Sequence, residues 1–158
     1  MSTMTNLFES LSQERAALLD AISGLSDTRL EQKGVVGEWS IKNVLAHLVD
    51  WESVVTDFLP ERIATGVKPT LLTVIGDDED GWNAQQVAAR EHLTAREQLD
   101  EFERSRQALL QVLRNLDEET LNREHPWPEY KGTVAEYILD GIGAHENEHR
   151  EAILAAIK

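Results

Sequence analysis

Two histidines four residues apart, His145 and His149, have the spacing in this sequence that points most directly to chemistry. On an α-helix they lie one above the other, about one 5.4 Å turn apart, so both imidazoles can reach a single metal ion. A third histidine, His47, sits on a separate apolar stripe, three residues after Val44 and four before Trp51. Burying several imidazoles without partners is costly, whereas one divalent cation satisfies all of them together. Three neutral nitrogen ligands leave a fourth position open to water or substrate, the pattern of catalytic rather than structural zinc. Nickel, iron or manganese also suit such a donor set. The sequence therefore predicts a metal site at His47, His145 and His149.

The stretch His145-Glu146-Asn147-Glu148-His149 also spells the H-E-x-x-H signature of zinc proteases. A protease of that kind needs a third ligand, usually downstream, and only Arg150 to Lys158 follow. Glu151 is the one candidate there, and two residues of helix place it about 200° round from His149. The residues thus favour a metal site built from two helices over a peptidase. Glu146 and Glu148 flank the histidine stripe, either as solvated side chains or as a general base or a partner to a ligand. Trp51, Trp127 and Tyr130 are candidate pocket-wall residues, the last two in a loop near His125 that could cover a bundle end. His92 and His125 lie in or beside connections and read as exposed. The acidic run Asp77–Asp80 lacks the spaced ligands of a calcium loop and reads as solvated.

The elements that must position these residues are helical. Leu7, Leu11, Leu18 and Ile22 recur at helical spacing and define a first helix over residues 5–22, with Gly24 placed for a left-handed cap. A helical turn around Asp27 to Leu30 is possible in the connection that follows. Ser40 is a suitable N-cap for a second helix carrying Ile41, Val44, Leu45, Leu48, Trp51, Val55 and Phe58, which Pro60 should kink or stop. Residues 67–81 read as irregular, with a weak β pattern at Leu71 to Ile75. So long a connection lets the second and third long helices run parallel. Trp82 to Glu91 reads as a short helix. Thr94–Glu97 and Thr133–Glu136 match capping boxes that open the third and fourth long helices. Residues 122–131, with Pro126 and Pro128, read as a loop. The last apolar row is Tyr137, Ile138, Ile142, His145, His149 and Ile153, which points both histidines at the core. These segments predict an all-α bundle in one domain spanning residues 1–158.

Composition narrows the function. With 15 basic and 29 acidic residues the formal charge is −14, which repels nucleic-acid backbones. The absence of cysteine excludes disulfides, thiolate ligands and a cysteine nucleophile. No run reaches the roughly 18 apolar residues of a membrane span, and the first residues do not read as a signal peptide, so a cytoplasmic protein is expected.

The run Gly37-Glu38-Trp39-Ser40-Ile41-Lys42-Asn43-Val44-Leu45-Ala46-His47-Leu48, followed by His145-x-x-x-His149-Arg150, resembles the DinB-like superfamily of four-helix bundles over nearly the whole chain. Trp82-Asn83 is similar to the ClbS/DfsB-like branch of that superfamily. The resemblance implies an up-down-down-up bundle and a divalent metal, commonly zinc or nickel, held by His47, His145 and His149. It implies the activities of relatives: thiol-dependent S-transfer with mycothiol, bacillithiol or glutathione, maleylpyruvate isomerisation, or, in ClbS-like proteins, action on a reactive cyclopropane-bearing toxin. The expected function is a thiol-dependent S-transferase acting on a small electrophile, with a low-molecular-weight thiol as cosubstrate. The alternatives are a metal-assisted hydrolase with Glu146 or Glu148 as base, and a non-catalytic bundle that binds a small molecule or protein. Exposed apolar residues on the first and third long helices could support a homodimer, as in relatives.

Overall fold

The computed structural model describes all of the chain except Pro126 and Pro128. Helix α1 (Thr3–Ile22) starts at Ser2, whose side chain accepts from the Thr5 amide. Its buried face is Leu7, Leu11, Leu18 and Ile22, joined by Arg15. Gly24 does not form a left-handed cap: α1 ends at Ser23 in right-handed geometry, and the positive-φ glycines are Gly34, Gly37, Gly66 and Gly132. The short helix α2 (Asp27–Glu31) fills the connection.

Helix α3 (Ile41–Thr65) opens on a capping box between Ser40 and Asn43 and ends at Gly66, whose φ of 71° suits a residue without a Cβ. Pro60 does not stop the helix: of the two outcomes expected there the stop is excluded, and Glu61 to Thr65 continue it. Its ring lies on the exposed side, while Leu59 and Arg62 beside it are fully buried, and that anchorage outweighs one missing backbone bond. Residues 67–81 also differ from expectation. They form α4 (Thr70–Asp77) and the start of α5 (Glu79–Ala89), hinged at Asp78. The apolar run read as weakly β is helical because Ile75 and Leu72 reach the core from one helix face, with no strand beside them to pair.

Helix α6 (Ala95–Arg114) begins with the Thr94–Glu97 capping box. After α7 (Glu118–Asn122), the bridges Glu124–Thr133 and Trp127–Tyr130 shape the loop; the part of the loop reading that falls on Pro126 and Pro128 lies outside the described residues. Helix α8 (Val134–Ile138) opens on the Thr133–Glu136 box, passes into a π-helical turn (Leu139–Ala144) and continues as α9 (His145–Ile157).

The fold is all-α, with no strand among the described residues. Near one end Lys42 donates to the Leu93 carbonyl at 2.7 Å, and further along both helices Ser105 donates to Glu52 at 3.0 Å. Helix α1 meets α6 through Arg106 to the Leu11 carbonyl and Arg15 to the Phe102 carbonyl. Two apolar clusters result, one containing Leu7, Leu11, Leu59, Leu109 and Ile138, the other Leu18, Ile41, Leu45, Phe102 and Ile153. A charged layer separates them. Arg15, Glu52, Arg106 and Glu146 each come from a different long helical stretch and each is at most 5% exposed. Among the described residues the large apolar side chains that are exposed are Met1, ahead of α1, and Val67, Leu71 and Val74, before and on α4. The first and third long helices, α1 and α6, do not carry them. Among the described residues no helix is long and apolar enough to cross a membrane.

Candidate metal centre

The segment before α3 and the first half of α3 place the first histidine. Gly37, at φ 60°, turns the chain so that Val36 and Trp39 exchange backbone hydrogen bonds. The turn sets the Trp39 ring 5.2 Å from the His47 ring, centre to centre, while Ser40 caps the helix that carries His47. The residues Gly37, Trp39 and Ser40 thus serve, in turn, the bend, the wall behind the imidazole and the helix start.

His145 and His149 come from the first turns of α9. Their Nε2 atoms lie 3.1 Å apart, and His145 Nε2 is also 3.1 Å from His47 Nε2. The ligand atoms of all three fall within 4.8 Å of one another, the one such grouping among the described residues. Burial, then the charges of His145 and His149, lowers the His47 pKa to about 3. Burial, then His149, lowers His145 to about 4, and burial lowers His149 as well. All three are therefore neutral at ordinary pH, and each carries a single N–H. Two close contacts at one His145 nitrogen cannot both be good hydrogen bonds, since that atom offers either one lone pair or one proton. His47 Nδ1 is buried with no partner either. A set of converging, neutral, under-satisfied imidazole nitrogens fits a divalent cation by its own chemistry.

Beside the triad lies a cleft of about 340 Å³ lined by Trp51, Glu79, Asp140, Gly141, Ala144, His145 and Glu148. Trp51 is held by its Nε1–H, which donates to Asn83 Oδ1 at 3.0 Å, and by edge contact with Trp82. Asp140, in the π-helical turn, accepts from the Tyr130 hydroxyl at 2.7 Å. Of the pocket-wall residues expected from the sequence, Trp51 lines the cleft and Tyr130 reaches its edge through Asp140. Trp127 does not: it is 2% exposed, packed between His125 and Tyr137 with the Arg62 guanidinium over its ring. His125 is buried against it rather than exposed, whereas His92 is exposed as expected.

The two carboxylates flanking the histidines part company. Glu148 is exposed at the cleft. Glu146 is 2% exposed and turned away, accepting from Arg15 Nε at 2.9 Å and from Arg106 Nη2 at 2.6 Å. It is neither solvated nor free to serve as a base. The cause is the π-helical turn, which adds a residue to the helical circuit and moves the inward position on by one. The buried sequence along the last stretch is Ile138, Ile142, Glu146 and Ile153, and both histidines stand at its edge, half-buried, with His145 lining the cleft. The partners Arg15, Glu52 and Arg106 went unread in the sequence, although each interrupts an apolar stripe at a helical position.

The profile of the DinB superfamily matches residues 10–153, and the chain belongs to that superfamily. The chain is also similar to YuaE, an uncharacterised protein of Bacillus subtilis (strain 168). The two are 27% identical over 143 residues, which cover 87% of this chain and 88% of that one. No solved structure gives a significant match.

Proposed function

We propose that this protein is a metal-dependent enzyme of the S-transferase type, in which a divalent ion, zinc or nickel, is held by His47, His145 and His149. The observation that carries the reading is the convergence of three neutral Nε2 atoms next to an open cleft, with no further His, Cys, Asp or Glu joining the group among the described residues. Such an ion supplies Lewis acidity that lowers the pKa of a small-molecule thiol, so that sulfur can attack an electrophile. This chain's residues do the rest. Trp51 walls the cleft and Trp39 backs His47; in this reading the exposed Glu148 carboxylate accepts the proton that the thiol would release on binding, and the thiolate would then form the S–C bond as the leaving group departs with its electron pair. The lack of cysteine accords with a nucleophile brought by a cosubstrate. Residue pairs along the helices support the finer topology of an up-down-down-up bundle. They run in step between α3 and α6 (Lys42 with Leu93, Glu52 with Ser105) and in opposite order between α1 and α6 (Leu11 with Arg106, Arg15 with Phe102).

The test is metal content by inductively coupled plasma mass spectrometry on untagged protein and on a His47→Ala variant with unchanged circular dichroism. About one ion per chain, lost in the variant, is the expected result. Thiol conjugation to 1-chloro-2,4-dinitrobenzene that follows metal content should accompany it. Equal metal content in both proteins, or none after incubation with zinc and nickel, would sink the reading.

A further inference from the structure

We infer that the cleft beside the histidines selects organic cations: small molecules with a protonated amine or quaternary ammonium on an apolar or aromatic frame. The inference rests on the reading of that cleft as the binding site and names the substrate class it admits. Three carboxylates, Glu79, Asp140 and Glu148, line the cleft together with Trp51, and no lysine or arginine does. Asp140 and Glu148 stand two turns apart on one face of the last helical stretch, and the fold brings Glu79 to them from α5. The carboxylates at the heart of the molecule have cationic partners: Glu52 and Glu146 pair with Arg15 and Arg106, and Asp50 with Arg90. None of the three at the cleft takes part in an ion pair among the described residues.

Unpaired carboxylates of one sign around a concave wall attract a counter-charge, and an indole beside them adds cation–π attraction. Trp51 is preset for this by Asn83 and Trp82. The polarity of the site is also graded. The imidazole nitrogens sit at the half-buried end with His145, and the three carboxylates are exposed. A divalent ion on the histidines would favour an electron-rich or neutral head inward, while the carboxylates favour a cationic group outward. A ligand with a carboxylate tail is repelled at the same place, and that applies to a thiol cosubstrate as much as to an electrophile.

The experiment is isothermal titration calorimetry with three probes of one shape: phenethylammonium, 2-phenylethanol and 3-phenylpropanoate. Each is titrated into protein as isolated and into protein treated with EDTA, with metal content measured on the same samples. The expected result is binding of the ammonium probe about tenfold tighter than the alcohol, and no binding of the carboxylate. Glu79→Gln and Asp140→Asn should each weaken the ammonium probe about threefold, the worth of one exposed charge pair, and leave the alcohol unchanged. Equal affinities for the three probes, a preference for the carboxylate, or no binding of any at millimolar concentration would overturn the inference. The outcomes separate it from the metal reading. Cation preference in protein that takes up no metal leaves this inference standing and that reading lost; one metal per chain with no charge preference does the reverse.

Discussion

Replacing Glu146 by Gln removes one negative charge from a layer that holds two guanidinium groups and two carboxylates and little else. The Glu146 oxygens accept from Arg15 Nε at 2.9 Å, Arg15 Nη2 at 3.2 Å and Arg106 Nη2 at 2.6 Å. A glutamine keeps the shape but turns an N–H₂ group toward one of those donors, and it leaves one positive charge uncompensated at a site with almost no access to water. Breaking a buried pair in this way costs about 3–5 kcal/mol. Against a total of roughly 5–15 kcal/mol for a domain, that is a large fraction. With a urea dependence of about 2 kcal/mol per molar, the unfolding midpoint should fall by about 2 M. The assay is urea unfolding followed by circular dichroism at pH 7.5 in EDTA, wild type beside variant, so that metal plays no part in the comparison. Below the transition, the folded variant should still take up zinc, because Glu146 faces away from the triad. A midpoint within about 0.3 M of wild type would refute the charge-layer argument. Loss of zinc uptake from a folded variant would refute the assignment of Glu146 to the core.

Three more outcomes follow from the geometry. His47 and His145, lowered to about 3 and about 4, leave the folded state unprotonated where an unfolded chain takes up protons near 6.5. The stability they confer is complete above pH 6.5 and is lost as pH falls toward 4, at up to about 1.4 kcal/mol per pH unit for each. Asp50, raised to about 6 by burial despite Arg90, works in the opposite direction below pH 6, so metal-free Asp50→Asn should lose thermal stability more steeply between pH 6 and 4.5 than wild type. Melting curves in EDTA check this, and parallel slopes would contradict it. Gly66→Ala should destabilise the protein by about 1 kcal/mol, since space for a Cβ is open and only the φ of 71° opposes it; denaturant titration reads the change. Trp127→Ala should cost about 3–5 kcal/mol with zinc stoichiometry unchanged, whereas Trp51→Ala should cost less and alter ligand binding at the cleft. Calorimetry with and without zinc distinguishes the two.

The parts of this fold that could be read from the sequence are those decided locally. Ser40, Thr94 and Thr133 announce helix starts because a cap is settled within four residues. The histidine pair could be read because i, i+4 spacing survives any packing, and His47 because it shares a stripe with Val44 and Trp51. Glu146 could not be placed: a uniform 3.6-residue period carried through from Ile138 and Ile142 puts His145 and His149 nearest the middle of the inward face and Glu146 toward its edge, and the π-helical turn breaks that period where no residue type marks it. Trp127 and His125 were misplaced for a different reason, since loop composition says nothing of whether a loop folds back over the core. The charged layer left a signal that went unused. Arg15, Glu52 and Arg106 each occupy a stripe position flanked by Leu or Phe, and two positive and two negative interruptions on four segments are what a paired layer requires.

The extra residue in the π-helical turn also makes the site separable from the helix that carries it. The last helical stretch behaves as two segments on one axis, joined with a rotational offset, with Ile138 and Ile142 in one apolar cluster and Ile153 in the other. Excising one residue there, such as Gly141, should turn His145 and His149 by about 100° relative to α8 while leaving their identities and spacing intact. A lineage could thus lose this centre, or gain one, without changing a single ligand. Measured zinc uptake in the Gly141 deletion, beside its helical content, would tell whether the phase of a helix, rather than its residues, is what this site is made of.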